Sequence, residues 1–228
     1  MRYYLLLFTA LFIFSCGKEK VIQLPEISHS DISEINDVSA AYLFYDETKK
    51  DSVELNRKNL ISTTNWLVNV DKRLTLKQVI PHIQFLQEKK KNSSHKNKDA
   101  KNYYTCNDTS KKNLGFIEFT NTKYLNGKAS EYLYKVSEAV EFDLNITNID
   151  FKPNNEVRIT FSKSPDLKIK TDKEHFINLI EKNNTFIKST VYLNFNKSLL
   201  FKDYIYIKSK LMDLNLKNIQ IDVKEFIY

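Results

Sequence analysis

The sequence predicts an α+β fold of two tandem, similar α/β units, each a mixed sheet with helices packed on one face. Three observations carry that prediction. Short apolar runs, several alternating with period two, recur along the chain and mark strands. Longer stretches carry apolar stripes at helical spacing. A strand, a turn and an amphipathic helix return as a set 125 residues after their first appearance.

In chain order, residues 16–38 are polar with scattered Ile and read as a tether that Pro25 stiffens. The first unit spans 39–128. Ala40–Tyr45 is a compact apolar and aromatic run, hence a strand. Asp46–Asp51 is a turn. Val53–Leu60 fits a second strand or a helix, because Val53, Asn56 and Leu60 give mixed periodicity. Trp66–Val70 is a strand. Thr75 and Gln78 have capping-box spacing and open a helix whose stripe is Leu76, Val79, Ile80, Ile83 and Leu86. Pro81 inside it predicts a kink or a delayed start. Glu88–Lys101 holds six lysines and almost nothing apolar, so 88–113 is assigned as a basic loop, a solvated insertion before the Leu114–Phe119 strand.

The second unit spans 129–228. Glu141–Phe151 and Val157–Phe161 alternate, and Lys152-Pro153-Asn154-Asn155 between them is turn chemistry, so they form a hairpin. Thr171 and Glu174 read as the capping box of a helix with Phe176, Ile177 and Ile180 on one side. Val191–Phe195 is a strand. Leu199–Leu214 is a helix with Phe201, Tyr204, Ile205, Lys208, Leu211 and Met212 in register. The final strand alternates Ile219, Ile221 and Val223 with Gln220, Asp222 and Lys224.

Trp66–Leu86 aligns with Val191–Leu211. Identities fall at Asn69/Asn194, Lys72/Lys197, Leu74/Leu199, Lys77/Lys202, Ile80/Ile205 and Leu86/Leu211. Each copy is an apolar strand, a polar turn, an apolar residue and an amphipathic helix, and each is followed by another strand. Such a unit crosses over the sheet face, so its two strands can lie parallel.

The N-terminus supplies an address. Arg2 precedes a twelve-residue apolar run, Tyr3–Phe14, closed by Ser15 and Cys16. As a helix it would be about 18 Å long, too short for a hydrocarbon core of about 30 Å. Residues 1–15 therefore read as a secretory signal rather than a span. Ile13-Phe14-Ser15-Cys16-Gly17 resembles the bacterial lipoprotein box, although Phe14 stands where that pattern prefers a smaller residue. The resemblance implies cleavage before Cys16 and a lipid thioether on it, a membrane anchor by acyl chains. Gly17 after the cysteine is similar to signals for the outer membrane, so the expected place is the cell envelope, on its periplasmic or surface side.

Composition closes off other classes. With 13% aromatics the chain can line a core, so it is not disordered; two cysteines do not make a disulfide scaffold. Only three glycines exclude most phosphate loops and nucleophile elbows. The net charge is +7, but only four basic residues are Arg, which argues against nucleic acid. His29, His82, His95 and His175 lack zinc spacing, so no metal or other cofactor is expected. Cys106, alone once Cys16 carries lipid, reads as a small buried or loop-side residue, not a nucleophile. Acid pairs such as Asp71 with Asp143 are common at this acid content and do not define a catalytic site.

Val191–Tyr228 resembles the end of the periplasmic domain of the ExbD/TolR family: strand, Asn or Asp with a basic neighbour, apolar residue, helix, terminal strand. Trp66–Leu86 matches the same segment. That family anchors by a transmembrane helix with a proton-handling aspartate, which Tyr3–Phe14 is not. The resemblance implies a non-enzymatic component that binds envelope proteins of ExbB/ExbD, TolQ/TolR or TonB type. Strand addition is the expected mechanism, with Ile219, Ile221, Val223 and Phe226 on an uncovered terminal edge. The alternative is a surface lipoprotein that binds glycan or peptidoglycan fragments with an exposed aromatic, for which Trp66 is the only Trp.

Overall fold

The structure is a computed structural model that describes residues 20–95, 97–137, 145–182, 189–212, 214 and 218–228. The signal segment and Cys16 lie outside the described residues, as do 141–144 of the expected 141–151 strand. The molecule is mixed α/β: two six-stranded mixed sheets with four α-helices among the described residues.

The first sheet has β1 (Glu26–Ile27), β2 (Val38–Tyr45), β3 (Val53–Asn56), β4 (Asn65–Val70), β5 (Asn102–Asp108) and β6 (Asn113–Glu118). β2 and β3 form a hairpin. β2, β4 and β5 run parallel, and α1 (Leu76–Lys91) is the crossover from β4 to β5. β6 folds back antiparallel along β5 from Tyr103 to Asp108. The second sheet repeats that frame. β8 (Asn145–Phe151) and β9 (Val157–Phe161) form a hairpin, with Asn154 and Asn155 in the left-handed conformation that closes its turn. β8, β11 (Ser189–Phe195) and β12 (Ile219–Ile227) run parallel, with α4 (Phe201–Met212) between β11 and β12. β7 (Lys123–Asn126), α2 (Ala129–Ser137), β10 (Ser164–Thr171) and α3 (Phe176–Lys182) complete the chain.

The 125-residue offset is a physical symmetry. Leu76 N–H donates to Leu199 C=O at 2.9 Å, and Phe201 N–H donates to Leu74 C=O at 2.7 Å. Lys77 N–H donates to Lys197 C=O, and Lys202 N–H to Lys72 C=O. Every donor and acceptor in one bond has its counterpart, 125 positions away, in the other. Thr75 and Leu200, themselves 125 apart, bridge on the axis. The units therefore meet across an internal two-fold, as the subunits of an isologous dimer do. The turns match as well: Asp71 N–H bonds Leu43 C=O as Asn196 N–H bonds Phe151 C=O.

The stripe of α1 is fully buried, Leu76 to Leu86, and one apolar cluster runs through both units. α4 meets both sheets: Tyr204 packs edge-on against Phe195 of β11, and Phe201 against Tyr104 of β5.

Several boundaries differ from the sequence reading. The 16–38 stretch is not a free tether from Lys20 onward: Pro25 and Ile27 are buried, and β1 pairs with the end of β5. The basic 88–113 loop contracts, because α1 continues to Lys91 and Asn102–Asp108 is a buried strand. α1 starts at Leu76 without delay despite Pro81. β3 stops at Asn56. The 128/129 boundary is crossed, since β7 belongs to the second sheet. The cap of α3 is Asp172, whose carboxylate accepts the Glu174 and His175 N–H groups, while Thr171 closes β10.

Candidate functional site

β12 was expected to be an uncovered edge, and over half its length it is not. β7 pairs with it in parallel, from Lys123 opposite Lys224 to Asn126 opposite Ile227, so Lys224–Ile227 lie inside the sheet. Among the described residues no strand pairs with Ile219–Val223 on the side away from β11. Ile219 and Ile221 are half-buried and Val223 is 48% exposed, so these three stay together on the open half. Phe226 leaves the site: it is buried against Tyr132 and Tyr192. The register slips between Ile221 and Glu225, a bulge in which Asp222 Oδ1 accepts the Lys224 N–H. Beyond the bulge pairing is regular again, and Glu225, Phe226 and Ile227 are buried in succession because both faces are covered: Glu225 bonds Tyr204 and Ile227 joins the main core, while Phe226 packs with Ala129 and Tyr132 on the opposite face.

The first unit shows what the open half lacks. β5 occupies the place of β12 there, and β6 covers its outer side without interruption. In the second unit β7 takes only the near part of that place.

Two concavities flank the open half, separated by the Thr120–Thr122 loop. One, about 290 Å³, is lined by Leu211, half-exposed Met212, Val223, Lys208 and Glu225. The other is a groove of about 860 Å³ lined by Gln84, Gln87, Lys91, Lys98, Asn121 and Lys123. Gln84 and Gln87 position its far wall by donating to the Tyr124 and Thr122 carbonyls.

Beneath the site runs a buried polar chain. The hydroxyls of Tyr104 and Tyr124 are 2.7 Å apart, those of Tyr124 and Tyr204 3.0 Å. Tyr204 donates to Glu225 Oε2 at 2.7 Å, and Lys208 Nζ donates to Oε1. Tyr104, Tyr204 and Glu225 are essentially inaccessible. Burial pushes all three phenols up, so they stay neutral and act as donors and acceptors. The chain links β5, β7, α4 and β12 across the unit boundary. Its closed hydrogen bonding makes it a positioning device for β12.

The other polar candidates are likewise engaged. Lys90 Nζ donates to the carbonyls of Thr64 and Lys101 and to Asn102 Oδ1, and lies 5.0 Å from the Trp66 ring. Burial pulls its ammonium down to about 8. Trp66 is 1% exposed and its indole N–H donates to Ile61 C=O, so it is no platform for a sugar ring. Cys106 is fully buried, as expected, and burial pushes its thiol far up. Asp71 is buried too. Burial alone would raise its carboxyl, but two bonds from the Arg73 guanidinium and the N–H groups of Arg73 and Gln23 outweigh that and hold it low. Among the described residues no group of His, Cys, Asp or Glu could hold a metal ion.

The sequence reading missed Tyr124 and Glu225. Tyr204 was visible in the α4 stripe, but an acid in an alternating strand carries no sign of burial. Among the described residues no helix is long and apolar enough to cross a membrane. No family model, curated protein or solved structure matches this chain.

Proposed function

We propose that this chain is a lipid-anchored envelope protein that acts by holding a partner protein, without catalysing a reaction. Cys16 is its lipid site, its two units are ExbD/TolR-like, and it serves as an accessory to a proton-driven system of ExbB/ExbD or TolQ/TolR type, at the outer membrane. The observation that carries this reading is the half-open β12. A strand from a partner would take up, along Ile219–Val223, the place that β6 fills on β5. The bulge after Ile221 keeps that addition short, which blunts indiscriminate edge pairing.

Removing 218–228 would not test this, because it deletes core residues Phe226 and Ile227 and the buried Glu225. Adjacent prolines do. In a regular strand alternate N–H groups face opposite neighbours, so of Gln220 and Ile221 one serves β11 and the other faces the open side. One of Gln220→Pro and Ile221→Pro should keep the fold and membrane attachment yet lose the ExbD- or TolR-type protein that co-purifies with the wild type from envelope membranes. Retention of that protein by the variant that keeps the fold sinks strand addition.

The larger groove favours a second reading, an anionic glycan or peptidoglycan fragment held by the Lys91, Lys98 and Lys123 ammoniums and by amides. Muropeptide binding weakened about tenfold by Lys123→Glu would select it over the first.

A further inference from the structure

The beginning of the folded body says how far it can stand from its membrane. Lys20 Nζ makes ion pairs with Asp46, the first residue after β2, and with Glu54 in β3. Gln23 is fastened on both sides of its backbone: its N–H donates to Asp71 Oδ2, and its C=O accepts the Lys72 N–H at 2.7 Å. Pro25 C=O accepts the Asn107 N–H, and β1 follows. Backbone bonding thus begins at Gln23, and the Lys20 side chain ties the chain to the β2–β3 hairpin three residues earlier.

Four residue steps separate Cys16 from Lys20. Fully extended, they reach about 14 Å. A body of roughly 200 residues is about 40 Å across. The connection is thus shorter than the radius of what it holds. We infer, resting on the reading that Cys16 carries the lipid, that the body lies directly on the bilayer, with the β2–β3 hairpin of the first unit at the headgroups. The hairpin tip at Lys49 and the neighbouring Val21, 75% exposed, form the contacting surface.

Charge does not drive this contact. The Asp46–Asp51 tip mixes Asp46, Glu47 and Asp51 with Lys49 and Lys50, so it carries no basic excess for anionic lipid. The partner surface is the polar headgroup layer itself, and its apposition is set by the length of the connection. Any protein held by the body is then met within about 40 Å of the anchoring membrane.

The test uses the mature lipidated chain in phosphatidylcholine vesicles. Lys49→Cys is labelled with a fluorophore; Cys106 is buried, and on the lipid reading the Cys16 sulfur is taken up in the thioether. Headgroup-attached quencher should quench that label strongly, with no change in high salt. A 20-residue Gly/Ser insertion after Gly17, about 25 Å in root-mean-square length, should reduce the quenching several-fold. Chain that floats with the vesicles while its label is unquenched, or quenched equally with the insertion, overturns the inference and leaves the lipid reading intact. Chain that does not float overturns both. Quenching lost in high salt identifies electrostatic adsorption and also overturns it.

Discussion

Glu225 has 1% of its surface exposed and shares its two oxygens between the Tyr204 hydroxyl and Lys208. Such a group is stable only while both donors stay. Replacing it by Leu leaves a phenol and an ammonium without their acceptor, and should cost about 3 kcal/mol. Tyr124→Phe removes one hydroxyl from the middle of the chain and should cost about 1 kcal/mol. Urea unfolding with an unchanged m-value checks both; equal costs would show that the carboxylate is not the anchor. Lys90 gives a pH signature. Its ordinary value is 10.5 and its folded value about 8. Between these the unfolded chain binds more protons, so Lys90 makes stability rise with pH from about 8 to 10.5. Lys90→Met should lose that rise. A parallel pair of stability–pH curves would show that Lys90 titrates normally. Neither residue was legible as special in the sequence. Lys90 sits in a run of three lysines, and only folding brings its ammonium over the Trp66 ring.

Elements governed by local chemistry were legible, and elements governed by distant partners were not. The stripe Leu76–Leu86 announces α1, because 3.6-residue spacing is set by the helix alone. β5 was lost among lysines. Its identity comes from β4 on one side and β6 on the other, not from its own alternation, since Asn102–Cys106 are buried in succession. β7 is four residues long and takes its partner from the other unit, which no local pattern encodes. α3 shows the limit of motif spacing: Thr171 and Glu174 have capping-box spacing, yet Asp172 supplies the cap. At α1 the box does close. Gln78 Oε1 accepts the Thr75 N–H and hydroxyl, and its Nε2 donates to Asp51 C=O. Gln78→Ala should therefore cost about 1 kcal/mol, more than removal of an ordinary surface glutamine. Urea denaturation shows whether it does; a cost near zero would mean that the helix start is held by the two-fold contacts alone.

At the scale of the whole molecule the two-fold decides how the chain comes apart. The turn segments 72–77 and 197–202 exchange four backbone hydrogen bonds, each with a mate 125 residues away. Breaking the contact would leave those groups unpaired on both halves at once. β7 adds a second tie, because the chain of the first unit completes the sheet of the second. The apolar cluster offers no seam either: Tyr104, Phe201 and Tyr204 pack as one group across the boundary. Two units that exchange backbone partners and share core surface, one of them also lending the other a strand, should not melt separately. Calorimetry should give one transition, with the calorimetric enthalpy equal to the van't Hoff value. Fragments 20–119 and 120–228 should each be unfolded alone and regain native structure when mixed, since the division leaves β7 with the sheet it serves. Two resolved transitions, or a folded 20–119 fragment, would show that the second unit is a passenger, and that the symmetry at Thr75 and Leu200 contributes shape without cooperativity.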